Sequence, residues 1–403
     1  MARVVVGISG GVDSSVAAYL LKQQGHEVIG LFMINWHDTT GTLEGDCAWH
    51  DDRVFAELVA KKLDIELHVV DLSEHYRTRV VDYMFSEYEK GRTPNPDVLC
   101  NREIKFDVFL KEALKLGAEY VATGHYCRKS ESTDPQTGAV TYSLLAGKDP
   151  NKDQSYFLCQ LSQEQLSCAL FPIGDMLKPE VREVANNTAL ATAKRKDSQG
   201  ICFVGKVDLP VFLQQKLSSK AGNIHEIKPE WSRFDSELLH TPLSEILQSE
   251  ELLHKLSQPH RFTVRDGKKI GTHNGAHFYT IGQRKGLGIG GRKESLYIIG
   301  TDVEQNVIYI GEGDAHLGLL RRAIRIEASE MHWVNPTLAM SEGESRQFMV
   351  RIRYRQPLQR ATLYIASNKD GYIIFDEPQR SVAAGQFAAW YLDDELCGSG
   401  VIA

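Results

Sequence analysis

Arg3-Val4-Val5-Val6-Gly7-Ile8-Ser9-Gly10-Gly11-Val12-Asp13-Ser14-Ser15 opens the chain and decides how its first half folds. The run from Arg3 to Ile8 has the unbroken apolar character of a buried parallel strand. From Ser14 to Gln24 the apolar residues Val16, Ala17, Leu20 and Leu21 recur at helical spacing, and Gly25 ends the run. A glycine-rich turn from strand to helix gathers unpaired backbone N–H groups at one point, where the helix N-terminus adds positive potential. That point attracts phosphate. Gly10 and Gly11 allow the backbone to come close, and Ser9, Ser14 and Ser15 add hydroxyl donors. A carboxylate at Asp13 is out of place in an anion cradle unless a cation faces it, so Asp13 reads as a Mg²⁺ partner.

Working outward, strands are expected at 3–8, 27–34, 65–71 and 119–124, with helices near 14–24, 51–63, 74–89 and 102–116. This alternation predicts an α/β fold with a doubly wound parallel sheet. Ligands of such sheets bind beyond the carboxyl ends of the strands. Three segments are therefore expected to meet there: the Gly10 loop, the Met33-Ile34-Asn35 strand end and Thr123-Gly124-His125. Met33 would form a wall for adenine. The loop lacks the Gly-x-x-x-x-Gly-Lys-Ser/Thr spacing of common ATPases. It resembles the pyrophosphatase-type loop of enzymes that split ATP into AMP and pyrophosphate.

The remaining sequence bounds the answer. A chain of 403 residues is long enough for two or three domains with cores of their own. No apolar run approaches a membrane span and Met1-Ala2-Arg3-Val4 starts no signal peptide, so a cytoplasmic location is expected. Seven scattered cysteines do not form a disulfide framework. No Cys-x-x-Cys occurs, and Cys47-x-x-His50 is half a metal site at most. A formal charge of −7 argues weakly against a nucleic-acid partner, although a local basic face outweighs net charge.

The α/β pattern covers residues 1–205. Between 263 and 310 short strands replace helices, at 277–281, 295–299 and 307–310. From 320 to 403 short strands and turns suggest a small β-barrel. A catalytic domain (1–205), a β-rich central domain (206–310) and a C-terminal barrel (311–403) are expected. Residues 222–260 are polar and partly helical, and read as an inserted surface element. Gly286-Leu287-Gly288-Ile289-Gly290-Gly291 matches Gly-x-Gly-x-x-Gly, but a strand-like segment follows where a dinucleotide site needs a helix.

Two cysteines stand in polar, glycine- or proline-marked company. Cys100 follows Thr93-Pro94-Asn95-Pro96-Asp97, and a helix is expected to start just after it. A thiol there, beside Arg102 and Lys105, would have its thiolate favoured. Cys202 follows Lys194-Arg195-Lys196-Asp197-Ser198-Gln199-Gly200. Arg351, Arg353 and Arg355 alternate with Ile352 and Tyr354, so one strand face would carry a row of guanidinium groups suited to a phosphate backbone.

With these residues in view, the chain resembles the bacterial tRNA-specific 2-thiouridylase family. The matching segments are GISGGVDSS, GLFM, GRTPNPDVLCNREIKF, ATGHY, NKDQSYFL, KRKDSQGICF, YTIGQRKGLGIGG, RIRYRQ and AAGQF. The resemblance implies ATP-dependent 2-thiolation of the wobble uridine at position 34 of tRNA. It implies an ATP site at Gly7, Ile8, Ser9, Gly10, Gly11, Val12, Asp13 and Ser14, with Met33 and Gly124, and Mg²⁺ alongside. Cys202 would carry a persulfide, Cys100 would be the second thiol and Asp97 an acid–base or positioning carboxylate. Contacts to the anticodon stem-loop would fall on Asn95, Pro96, Asp97, His125, Lys152, Asp153, Gln154, Arg353, Tyr354 and Gln386. A persulfide-donating sulfur carrier or cysteine desulfurase and a thiol reductant would be partners.

The chemistry is consistent with those residues. Adenylation converts the uridine C2 oxygen into a leaving group. Sulfur then attacks C2, either as the terminal sulfur on Cys202 or as sulfide liberated by Cys100; both routes leave a Cys100–Cys202 disulfide to be reduced. The rival reading from the same loop is an adenylating amide ligase, which needs no cysteine pair.

Overall fold

The computed structural model describes residues 1–38, 49–197 and 208–403. The first 170 residues contain β1 (Arg3–Gly7), β2 (Glu27–Ile34), β3 (Glu66–Asp71), β4 (Tyr120–Ala122), a hairpin of β5 (Cys127–Thr133) and β6 (Val140–Ala146), and the short β7 (Ala169–Leu170). Five of them form a parallel sheet in the order β3-β2-β1-β4-β7. Helix α1 (Val12–Gln23) and helix α2 (Trp49–Leu63) lie on one face. Helical stretches at 73–89 and 96–115 cover the other. Alternation along the strands divides the apolar residues between two cores. Val4, Val6, Phe32 and Ile34 pack with Val16, Ala17 and Val59. Val5, Leu31 and Met33 pack with Tyr76, Val98 and Ile104. The doubly wound sheet and its reversal at β1 follow the expected pattern.

A central sheet runs in the order β10-β11-β8-β9, from β8 (Gly222–Glu226), β9 (Lys268–His273), β10 (Leu296–Asp302) and β11 (Val307–Glu312). Two expectations are corrected here. Residues 277–281 are not a strand: a 3-10 turn spans Ala276–Phe278, and Phe278 is buried in the core of the first sheet instead of alternating in the second. Nor are residues 222–260 wholly a surface insertion. Residues 222–226 form the inner strand β8, with Ile224 fully buried between β9 and β11. The amphipathic helix Glu250–Ser257, capped by Ser249, buries Leu253 and Leu256 against Ala323, Tyr372 and Ile374.

The last strands are β12 (Leu320–Trp333), β13 (Ser345–Arg351), β14 (Gln359–Ile365), β15 (Gly371–Arg380), β16 (Phe387–Leu392) and β17 (Glu395–Ile402). Together they close an antiparallel barrel in the order β12-β15-β14-β13-β16-β17, with β12 pairing back to β17. Inward-facing Ile324, Val350, Leu363, Phe375 and Trp390 fill it. The hairpin β5–β6, which lies within the α/β half of the chain, adds onto this barrel: Leu144 and Leu145 pair with Leu396 and Glu395. Backbone hydrogen bonding thus joins the first and last parts of the chain. No helix among the described residues is long and apolar enough to cross a membrane.

Candidate functional site

The glycine-rich turn sits at the carboxyl end of β1, as its sequence requires. Gly11 is the N-cap of α1 in extended conformation, and Gly10 has φ of +72°. A Cβ on Gly10 would stand 2.2 Å from the Asp52 carbonyl oxygen on α2, so only glycine fits. Hydroxyls tie the turn to itself. Ser9 N–H donates to Ser14 Oγ at 3.1 Å, and the Ser14 and Ser15 hydroxyls donate to the Gly11 carbonyl at 3.2 and 2.7 Å. Gly7, Ile8 and Val12 complete the strand–turn–helix junction, and Ile8 N–H bonds the Leu31 carbonyl of β2. Gly124, just past β4, presses on the first turn of α1: a Cβ there would lie 2.6 Å from Ser14 N. Met33 lies nearly buried on neighbouring β2. Two of the three expected segments therefore touch, and the third lies on the adjacent strand.

The cation facing Asp13 is a side chain. Lys178 Nζ lies 2.8 Å from both Asp13 oxygens, and the Tyr126 hydroxyl donates to Oδ1 at 2.7 Å. Among the described residues Asp13 thus pairs with Lys178, which is 165 residues away in sequence and unremarkable in its own neighbourhood.

Lys178 also contacts Asp197 at 2.8 Å, and Asp197 accepts from Lys152 (2.6 Å) and Arg182 (2.8 Å). These bonds outweigh partial burial and hold the Asp197 pKa down to about 2. Arg195 donates to the Gly10 carbonyl at 2.9 Å and to Asp52 at 2.7 Å, with its guanidinium over the Phe55 ring. Tyr126, Lys178, Arg182, Arg195 and Asp197 were not singled out by sequence as a set around the loop. Their only signals were the positions of Tyr126 after Thr123-Gly124-His125 and of Arg195 and Asp197 before Cys202.

Cys100 departs from expectation. The helical stretch begins at Pro96, where Asn95 Oδ1 accepts the Val98 N–H as an N-cap, so Cys100 lies a full turn inside. It is fully buried and begins a π-helical segment, Cys100–Val108. Arg102 turns away to Glu103 and Gln160. Asp97 is half-buried, and its carbonyl accepts from Asn101. Cys202 lies outside the described residues.

Of the residues expected to meet tRNA, Asn95, Asp153, Tyr354 and Gln386 lie along the seam between the α/β part and the barrel, while Lys152 belongs to the Asp197 cluster. Gln386 donates to the Thr93 and Pro94 carbonyls at 2.9 and 3.1 Å, and Asn95 Nδ2 reaches Gln386 Oε1 at 3.5 Å. Pro96 opens the helix beside them. Gln154 bonds Tyr126 through both side chain and backbone, linking this seam to the loop. Asp153, nearly buried, accepts the Gly147 and Ser155 N–H groups and pairs with Arg351 at 3.3 Å. Tyr354 packs on Phe157 with ring centroids 4.2 Å apart. His125 is buried, with Nδ1 2.7 Å from the Thr123 hydroxyl and Lys105 near Nε2; burial, then the Lys105 charge, push its pKa well below the usual value.

The expected guanidinium row does not form. β13 ends at Arg351, whose side chain turns inward to Asp153 and over the Tyr391 ring. The chain then bends, which leaves Arg353 and Arg355 exposed. Pairing the buried Asp153 carboxylate outweighs the alternation of the sequence.

Three family models match this chain: "tRNA methyl transferase HUP domain" over residues 2–206, "tRNA methyl transferase PRC-barrel domain" over 254–312 and "Aminomethyltransferase beta-barrel domain" over 323–402. The chain is 58% identical over 402 residues to tRNA-specific 2-thiouridylase MnmA of Flavobacterium johnsoniae, covering all of both chains. It is 57% identical over 402 residues to the protein of that name from Christiangramia forsetii, again covering all of both. Against that of Halalkalibacterium halodurans it is 42% identical over 400 residues, covering 99% of this chain and 94% of the relative. The chain belongs to the tRNA-specific 2-thiouridylase family.

Proposed function

We propose that this chain uses ATP to place sulfur on C2 of the wobble uridine, position 34, of tRNA. The observation that carries the reading is full-length identity to 2-thiouridylases. The strand–turn–helix junction at Ser9–Ser14, with Gly124 closed against it, supports an ATP site. The turn's N–H groups and hydroxyls hold the phosphates, and the uridine C2 oxygen attacks the α-phosphorus as pyrophosphate departs. The terminal sulfur of a Cys202 persulfide adds to C2 and AMP leaves with the oxygen. Cys100, as thiolate, attacks the Cys202 sulfur; the S–S bond breaks, sulfur stays on C2 and a Cys100–Cys202 disulfide forms. An outside dithiol returns both cysteines to thiols, and a persulfide-donating protein reloads Cys202.

Asp97 positions the base or moves its proton. Cys100 is buried, so this step requires the stretch 96–115 to yield when RNA binds; its π-helical segment is a less favourable helix form than the α turns around it. The seam at Asn95, Gln154, Tyr354 and Gln386 receives the splayed anticodon loop. The test is mass spectrometry of nucleosides from tRNA incubated with the protein, ATP, Mg²⁺ and a persulfide source. 2-Thiouridine should form with the native chain and be absent with Cys100→Ser or Cys202→Ser. Undiminished product with either variant refutes the two-thiol route and favours an adenylating ligase.

A further inference from the structure

Asp13 occupies the second position of α1, where a carboxylate opposes the field that a helix N-terminus offers to phosphate. Lys178 sits against both of its oxygens at 2.8 Å with a side chain only 12% exposed. The same ammonium contacts Asp197, which keeps Lys152 and Arg182 as partners of its own. The nearby Asp149 is taken by the backbone N–H groups of Lys178 and Asn151. Asp197 therefore stays paired without Lys178, whereas among the described residues Asp13 would retain the Tyr126 hydroxyl alone. The placement is costly for a lysine whose only task is structural, because its four-carbon stem and its charge are largely withdrawn from water.

We propose that Lys178 is the cationic member of the triphosphate site: it cancels the Asp13 charge and presents its ammonium to the distal phosphates of the nucleotide. The proposal rests on reading the Ser9–Ser14 turn as an ATP site. It assigns to a protein side chain the positive charge that the sequence alone would give to a metal at Asp13.

The test is calorimetric titration of the full chain with ATP, inorganic tripolyphosphate and AMP in turn. In Lys178→Met, ATP and tripolyphosphate should bind roughly tenfold or more weakly while AMP changes by less than about twofold. Lys178→Arg should recover most of the loss. Asp197→Asn removes a carboxylate from the same cluster and leaves Lys178 on Asp13, so tripolyphosphate should bind a few-fold tighter, about two- to fivefold. Equal losses for ATP and AMP, or unchanged ATP binding, in Lys178→Met overturns the proposal. So does weaker tripolyphosphate binding in Asp197→Asn, which decides the matter if Lys178→Met does not fold. Failure of the native chain to bind either ATP or tripolyphosphate instead refutes the ATP site itself.

Discussion

Arg351 and Arg353 are two residues apart, yet replacing them should produce different kinds of defect. The Arg351 side chain is 12% exposed and its Asp153 partner 5%, with 3.3 Å between Nη1 and Oδ2. Arg351→Met leaves that carboxylate buried without its counter-charge, a loss of about 3–5 kcal/mol in comparable pairs. Asp153 keeps two backbone donors on its other oxygen, at 3.1 and 3.0 Å. The expected destabilisation is therefore at the lower end, about 3 kcal/mol, or roughly a hundredfold in the folding equilibrium. Urea titration followed by tryptophan fluorescence reads it, since Trp333 and Trp390 belong to the barrel that Arg351 anchors. Adding Asp153→Asn should recover much of the loss. Arg353→Gln touches an exposed side chain that, among the described residues, bonds the Arg380 carbonyl alone, so stability should barely change. It should instead lower the salt slope of tRNA binding by about one counterion. A destabilisation below about 1 kcal/mol for Arg351→Met, together with a reduced salt slope, would refute the inward pairing and restore the guanidinium row.

Gly124→Ala should weaken ATP binding and destabilise the fold by about 1–3 kcal/mol, because the added Cβ meets backbone atoms of α1 that cannot swing aside; calorimetry and denaturation curves check both effects. Gly10→Ala should be worse, combining a Cβ 2.2 Å from a carbonyl oxygen with a left-handed backbone, and a normal melting profile would contradict it. His125 has a folded-state pKa well below its unfolded value. Its contribution to stability is therefore complete above about pH 6.5 and is lost as pH falls below that value. His125→Gln should flatten that part of the pH–stability curve, and an unchanged slope would show that His125 is not the group responsible.

How much was legible in advance depended on how local the determining physics was. The strands at 27–34 and 65–71, and the turn at Gly10, follow from apolar runs, helical spacing and the steric freedom of glycine, all carried by neighbouring residues. The barrel was visible as a rhythm of short strands. The misread segment 277–281 has apolar, β-favouring residues, but Phe278 is claimed by the core of the first sheet. Residues 222–226 look polar at their ends, yet Ile224 lies between Gly271 and Ile308, 47 and 84 residues downstream.

The chain's own sequence determined that a glycine-rich turn links β1 to α1, that this half forms a parallel sheet, and that its motifs are those of a 2-thiouridylase. Short-range sterics, hydrophobic period and motif identity suffice for these. Only the tertiary structure decided which charge answers which. It set Lys178 against Asp13, Arg351 against Asp153 and Gln386 against the Thr93–Asn95 segment, and it sank Cys100 into a core. Ion pairs and burial depend on distances through space between residues far apart in the chain, and no local pattern encodes those distances.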